Sequence, residues 1–267
     1  MHKLPKITVV TPSYNQGRYL EKAIRSVLAQ NYPNIEYIVL DGGSTDDSRR
    51  IIEKYSDRIS YWRSEPDGGQ ASALAEGFEM ASGEIFCWIN SDDMLLPGAL
   101  SYVGNFFARH PEKQWLVGSS VEINENDRII RYKKAFPVNM KVMASVAMSF
   151  CQQSCFWRKE LYERVGGLNK QMQFCMDYDL FIRFARVTKP KWANRSLGVY
   201  RKHSEAKTAQ LDRIKREEDA IIMSQWGTGI PKWQAKLYWL ATVIWGKITT
   251  RVPRKQIFLP IPEMPSR

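Results

Sequence analysis

Short apolar runs rich in β-branched residues alternate with segments of helical period along the first third of the chain. Ile7-Thr8-Val9-Val10 reads as a strand, ended by Thr11-Pro12-Ser13. From Arg18 to Ala29, Leu20, Ala23, Ile24, Val27 and Leu28 recur at three- and four-residue spacing, which predicts an amphipathic helix. Asn31-Tyr32-Pro33-Asn34 breaks it. Residues 35–40 form the next strand pattern, followed by the turn Asp41-Gly42-Gly43-Ser44, and Asp46 is placed to cap a helix carrying Ile51, Ile52 and Tyr55. Residues 59–62 predict a third strand, leading through Glu65-Pro66-Asp67-Gly68-Gly69 into a helix over 70–80. Residues 84–89 predict a fourth strand, which leaves the core at Asn90-Ser91-Asp92-Asp93.

Strands alternating with helices need crossover connections, so the fold class expected is α/β with a mostly parallel central sheet flanked by helices. Ligands of such sheets bind beyond the carboxyl ends of the strands. Pro12-Ser13, Asp41, Glu65-Pro66-Asp67 and the stretch from Asn90 to Asp93 are therefore expected along one edge. Beyond residue 111 the pattern is more mixed. A hairpin over 115–123 and 128–133, strands over 150–157 and 192–200, and a helix over 177–187 complete the same domain. A charged helix from Glu205 to Trp226 is expected to lead outward, giving a domain over 1–210 and an extension over 211–267.

A net charge of +11 favours anionic partners such as nucleotides or an anionic membrane face. No nucleic-acid motif accompanies it, so nucleic acid is not an expected partner. The residues before Ile7 hold no apolar leader segment, and no secretory signal is expected. Cys87, Cys151, Cys155 and Cys175 lack CxxC spacing and read as buried thiols. His2, His110 and His203 are too scattered for a zinc tetrad.

Two acidic stretches carry candidate chemistry: Asn90-Ser91-Asp92-Asp93, and Asp177-Tyr178-Asp179 far downstream. Adjacent carboxylates repel unless a cation or donors compensate. Hard divalent ions are commonly held by one or two carboxylates together with substrate phosphates, and a distant carboxylate then supplies a base. Thr11-Pro12-Ser13-Tyr14-Asn15, Asp41-Gly42-Gly43-Ser44-Thr45-Asp46, Glu65-Pro66-Asp67-Gly68-Gly69-Gln70 and Asn90-Ser91-Asp92-Asp93 occur in that order. With Phe156-Trp157-Arg158, Val165-Gly166-Gly167-Leu168 and Asp177-Tyr178-Asp179-Leu180, the set resembles the family 2 glycosyltransferases of GT-A fold, over roughly residues 6 to 208.

The resemblance implies a Rossmann-like GT-A domain that moves a sugar from a nucleotide-diphosphate donor with inversion. It implies nucleotide and donor contacts at Pro12, Ser13, Tyr14, Asp41, Asp67, Gln70, Asn90, Asp92, Asp93 and Arg201. Asp92, Asp93 and His203 would hold Mn2+ or Mg2+, Asp177 would be the general base, and Lys207 would help neutralise phosphate charge. Gln152, Gln153 and Asp179 are acceptor-side candidates. Plainer readings stay open: a turn at Asp41 and at Asp92-Asp93, helix caps at Asp67 and Asp177, a first-turn acid at Asp179, core roles for both glutamines, and a solvated basic loop around Arg201. The sequence departs from many relatives in having Asn90 instead of an acid, and Ser72, Ala75 and Glu76 in the helix after Gly-Gly-Gln. No Gln-x-x-Arg-Trp signature of processive synthases occurs, so single additions are expected.

Trp233, Leu237, Tyr238, Leu240, Val243, Ile244 and Trp245 form an aromatic stripe flanked by Lys232, Lys236, Lys247, Arg251, Arg254 and Lys255. Its apolar run is too short to span a bilayer and suits a helix lying on an anionic membrane surface. The alternative is docking on its own domain or in a homodimer. The expected setting is cytoplasmic, peripheral at the inner face of the cell membrane, with a glycan or lipid-linked acceptor. A catalytically weak nucleotide-sugar-binding scaffold subunit is the competing function.

Overall fold

The computed structural model describes residues 3–137, 148, 150–207 and 212–227, with single positions between 231 and 244. The chain runs β1 (Ile7–Ser13), α1 (Gly17–Leu28), β2 (Ile35–Asp41), α2 (Ser48–Lys54), β3 (Tyr61–Ser64), α3 (Gln70–Met80), β4 (Ile85–Trp88) and β5 (Met94–Leu95). It continues through α4 (Ala99–Arg109), β6 (Trp115–Asn124), β7 (Ile129–Lys133), β8 (Cys155–Arg158), α5 (Lys159–Arg164), α6 (Met176–Val187), β9 (Lys191–Lys202) and α7 (Asp212–Trp226). The strands make one sheet in the order β3-β2-β1-β4-β8-β6-β9-β5, with β7 paired to β6. β3, β2, β1 and β4 are mutually parallel, as the crossover pattern requires. Beyond β4 the sheet becomes mixed: β8 is antiparallel to β4 and β6, and β9 is parallel to β6.

Side-chain alternation along the central strands divides the core in two. Val10, Phe86 and Trp88 face one layer with α3 and α6; Ile7, Val9, Ile85, Cys87 and Ile89 face the other with α1, α2 and α4. Both faces are covered, which is why the strands read as near-continuous apolar runs. Phe181 of α6 is wholly buried, its ring stacked on Trp88 and Trp115 at centroid distances of 6.0 and 5.6 Å and met by Phe150, Trp157 and Phe184.

Several expectations are corrected. The 150–157 strand shrinks to β8, because Gln152–Ser154 form a 3-10 turn whose polar side chains point inward. α4 forms where no helix was expected, its buried face being Ala99, Leu100, Val103 and Phe107. α7 does not lead outward. Ile222 is fully buried in the core beside Met223 and Trp226, so the folded unit extends past residue 210. The N-cap residue of α2 is Asp47; Asp46, one position earlier, accepts the amide of Ser48, the first residue of α2, at 2.9 Å, and its other oxygen accepts the Gly17 amide of α1 at 2.8 Å. The four cysteines are buried and free. Lys232, Val243, Trp245, Lys247, Arg251, Arg254 and Lys255 lie outside the described residues.

Because Phe181 joins three strands to α6, Phe181→Ala should cost about 3–5 kcal/mol of unfolding free energy in a denaturant titration. A loss below about 1 kcal/mol would contradict this packing.

Candidate functional site

The register aligns Ser13, Asp41 and Ser64 at the carboxyl ends of three adjacent parallel strands, and Val10 opposite Trp88 brings the end of β4 alongside. The four expected strand ends thus share one edge. The loops after β1 and β2 are tied together: the Asn15 amide donates to Ser44 Oγ at 2.7 Å, and Asn15 Oδ1 accepts the Thr45 amide at 2.8 Å. Gly43 at φ 77° lies under the next loop, where an added Cβ would sit 2.9 Å from the Pro66 nitrogen. A side chain there would push the loops apart.

Tyr14 extends from the end of β1 with 63% of its surface exposed. A Cβ at Gly42 would be 3.4 Å from the Tyr14 ring and 3.3 Å from Asp67 Oδ1, so these three residues border one recess. Asp67 accepts the Gly69 amide at 2.7 Å and lies 3.5 Å from Arg63 Nη2. Sequence reading missed Arg63. Its guanidinium grips Glu76 of α3 through Nε at 2.7 Å and donates through Nη1 to the Asp41 and Glu65 carbonyls. Glu76, which departs from the family pattern, is therefore the partner that holds this loop. Asp41 is wholly buried, its carboxylate taken up by the Ser44 amide and the hydroxyls of Ser44 and Ser64. It shapes the wall beneath the recess and presents no free oxygen to a base. Ser13 Oγ is buried without a partner among the described residues, beside Pro12.

The acidic stretch after β4 splits into an inward and an outward carboxylate. Asp93 is 1% exposed: Oδ1 accepts the Arg201 amide at 3.0 Å, and Oδ2 accepts Asn90 Nδ2 at 3.1 Å and Gln153 Nε2 at 2.5 Å. Burial and the neighbouring Asp92 charge push its carboxyl well above the ordinary carboxylate range, against the pull of those donors. Asp93 therefore gives no open oxygen to a cation, a correction to its expected metal role. Gln153 braces Asp93 and Gln152 donates to the Trp88 carbonyl at 2.7 Å; both are buried, so neither faces an acceptor.

Asp92 keeps a 20% exposed side chain and meets His203 Nε2 at 3.0 Å. Arg201 is fully buried, donating to the Asp92 carbonyl at 2.9 Å and to Asp127 at 2.7 Å. It braces the Asp92 turn and does not face solvent, which corrects its expected contact with the donor phosphates. Tyr19, also missed, packs its ring against both His203 and Arg201, with centroid distances of 4.6 Å to the imidazole and 4.8 Å to the guanidinium carbon. Nothing in its helical spacing marks it out.

Among the described residues no group of three or more His, Cys, Asp or Glu side chains could hold a metal ion. Asp92 and His203 do form a two-residue donor set. The pair shares a hydrogen bond at 3.0 Å and the His203 side chain is only 1% exposed, so the Asp92 carboxylate is the open member, with oxygen donors of the kind a hard divalent ion takes.

A relay of amides runs from this turn to the second acidic stretch. Asn90 Oδ1 accepts Gln70 Nε2 at 2.9 Å, and Gln70 Oε1 accepts Lys207 Nζ at 3.1 Å. Lys207 lies in the field of Asp177, a first-turn residue of α6. Burial pushes the Asp177 carboxyl up to about 6, while its hydrogen bond from the Tyr178 amide and the charges of Lys133 and Lys207 hold it down. Asp179 is elsewhere: buried, paired with Arg183 and accepting Trp226 Nε1, it is a structural acid and not an acceptor contact.

The family described as glycosyl transferase family 2 matches residues 8–166. An uncharacterized glycosyltransferase of Rickettsia typhi is 28% identical over 229 residues, which cover 82% of this chain and 71% of that protein. A longer Rickettsia felis relative, also 28% identical, is covered over 38% of its length. Among solved structures, S. aureus TarS in complex with UDP-GlcNAc gives a TM-score of 0.66 at 16% identity, over 89% of this chain and 71% of that one. The mannosyltransferase PcManGT of Pyrobaculum calidifontis, in complex with GDP-Man and Mn2+, gives 0.60 at 17% identity, over 93% and 73%. These structures share the α/β fold, of GT-A type. The family match spans more than half of the chain and takes in every strand end that borders the recess, so the chain belongs to glycosyl transferase family 2 and is a glycosyltransferase.

Proposed function

We propose that the enzyme transfers one sugar from a nucleotide-diphosphate donor to a hydroxyl of a glycan or lipid-linked acceptor, inverting the anomeric carbon, with Asp177 as general base. The observation that carries this reading is the amide relay Asp93-Asn90-Gln70-Lys207, which joins the open Asp92 turn to the neighbourhood of Asp177. One carboxylate then serves the departing nucleotide and the other the incoming hydroxyl.

In this reading Tyr14 stacks on the nucleobase, Asp67 takes its polar groups, and the buried Ser13 and Asp41 keep the wall in shape. Gln70 and Asn90 border the donor sugar, and Arg201 fixes the Asp92 turn. A divalent cation, Mn2+ or Mg2+, held at the partly exposed Asp92 carboxylate, with His203 bonded behind it, would supply counter-charge to the diphosphate oxygens. Asp177 accepts the acceptor hydroxyl proton as the oxygen–carbon bond forms. The bond from the anomeric carbon to the phosphate oxygen breaks, its electron pair leaving with the nucleotide.

The base must be ionised, so transfer should rise with pH through about 6 and level off above it. The same raised pKa makes the folded state bind the proton more tightly than the unfolded chain. Its ionisation therefore costs stability as pH rises from about 4 to about 6, by about 3 kcal/mol at neutral pH. Asp177→Asn is expected to lower transfer 10²–10⁴-fold, as removal of a general base does, while raising Tm. A panel of nucleotide sugars with membrane-extracted acceptors, read by mass spectrometry, tests the reading; full transfer by Asp177→Asn would contradict it.

We also propose that the C-terminal segment rests on an anionic membrane, at the inner face of the cell membrane. Trp233, Leu237, Leu240 and Ile244 recur at helical spacing and are 50–67% exposed. Among the described residues no helix is long and apolar enough to cross a membrane. Deleting residues 227–267 should abolish cosedimentation with anionic vesicles and spare donor hydrolysis; unchanged cosedimentation would rule the anchor out.

A further inference from the structure

α7 presents an unusual buried face to the helix that bears the base. Glu218, Ile222 and Trp226 recur every four residues along it, and Glu218 is only 7% exposed. A buried acid on a charged helix needs partners. Glu218 finds them in the backbone just before α6: Oε1 accepts the Gln173 amide at 2.5 Å, and Oε2 accepts the Phe174 and Cys175 amides at 2.9 and 2.6 Å. α6 has no side-chain cap of its own, since its N-cap residue is Cys175. Its amino end is capped from another helix. A carboxylate is favoured there by the helix dipole and by three charge-assisted hydrogen bonds.

Two further bonds repeat the grip. Cys175 Sγ donates to Asp219 Oδ1 at 3.4 Å, and Trp226 Nε1 donates to Asp179 Oδ1 at 3.2 Å. Asp177 lies two residues beyond Cys175, so the path of its backbone is set where Glu218 holds the chain. Glu218 also shares the field of Lys207 with Asp177, and Lys207 is bonded to the donor-side relay.

We infer that Glu218 is a positioning residue for Asp177, clamping the amino end of α6 so that the base carboxyl is held in place beside Lys207. The inference rests on the reading of Asp177 as base and goes beyond it by assigning a role to the C-terminal helix. A purely structural cap would contribute stability and leave the chemistry of Asp177 unchanged. A positioning cap controls both.

The groups facing Asp177 are Lys133 from β7, Lys207 from the loop after β9, Cys155 from β8 and Cys175 on its own helix. Without the clamp, the first turn of α6 opens and more water reaches the partly buried carboxyl. In the full chain, carboxyl-carbon NMR of Asp177 should show its titration midpoint falling by about one pH unit in Glu218→Gln, toward the ordinary aspartate value. Transfer turnover should fall at least tenfold, with the donor KM changed less than twofold. Trp226→Phe, which loses one bond to α6 but keeps the Glu218 cap, should lower Tm and leave the midpoint in place. A Glu218→Gln protein with lowered Tm but unchanged midpoint and turnover would overturn the inference.

Should Glu218→Gln fail to fold, Glu218→Asp keeps the charge and shortens the reach; a lowered midpoint again supports the clamp and an unchanged one overturns it. The two readings fail separately. Full transfer by Asp177→Asn would remove the base, whereas the NMR midpoint reports the coupling of Glu218 to Asp177 directly.

Discussion

The Asp93 carboxylate is the knot on which the site depends. It joins the end of β4 through Asn90, the 152–154 turn through Gln153 and the end of β9 through the Arg201 amide. These segments are far apart in sequence, and three donors on one buried acid hold them at hydrogen-bond distance. Removing one partner of such a bond strands the others at about 1–3 kcal/mol each. With Asp93 turned inward, its neighbour Asp92 stays partly exposed while one of its oxygens meets the buried His203 imidazole. Adjacent acids thus differ in setting: one is spent on the fold, and the other keeps a partly exposed side chain, which is why the ligand role is proposed for it.

Much of this was legible from the chain. The strand ends at Pro12-Ser13, Asp41, Glu65-Pro66-Asp67 and Asn90 were readable because buried parallel strands appear as apolar runs cut off by Gly, Pro and Asp turns, although the third strand itself runs over Tyr61–Ser64. Individual roles were less so. Asp41 and Arg201 look like ligand contacts by type and position, yet both are fully buried and spend their polar groups on neighbouring loops. Gln152 and Gln153 sit within an apolar stretch that reads as strand, but their amides turn inward to satisfy Trp88 and Asp93. Glu218 is indistinguishable by composition from exposed Glu217 beside it. Only its four-residue spacing from Ile222 and Trp226 separates them.

Two regions of different physical character therefore make up the enzyme. The parallel half, from β1 to β4, carries the recess of Tyr14, Gly42 and Asp67, with loops held by backbone and short polar side chains. The mixed half, with α6 and α7, carries the buried aromatic cluster and the raised Asp177 carboxyl. Burial that strengthens the second half also raises the Asp177 carboxyl to about 6, the property on which its proposed role as base rests. The amide relay through Gln70 and Asn90 spans the two. Loss of stability at Asp177 and gain of basicity are the same free energy, seen from two sides.

Titration of Mn2+ against the protein in the presence of UDP, read by electron paramagnetic resonance, separates an Asp92 that holds the cation from one that only turns the chain. Asp92→Asn should fold with a Tm close to that of the parent and bind Mn2+ at least tenfold more weakly. Mn2+ binding of parental strength in Asp92→Asn would rule out Asp92 as the residue that meets the cation.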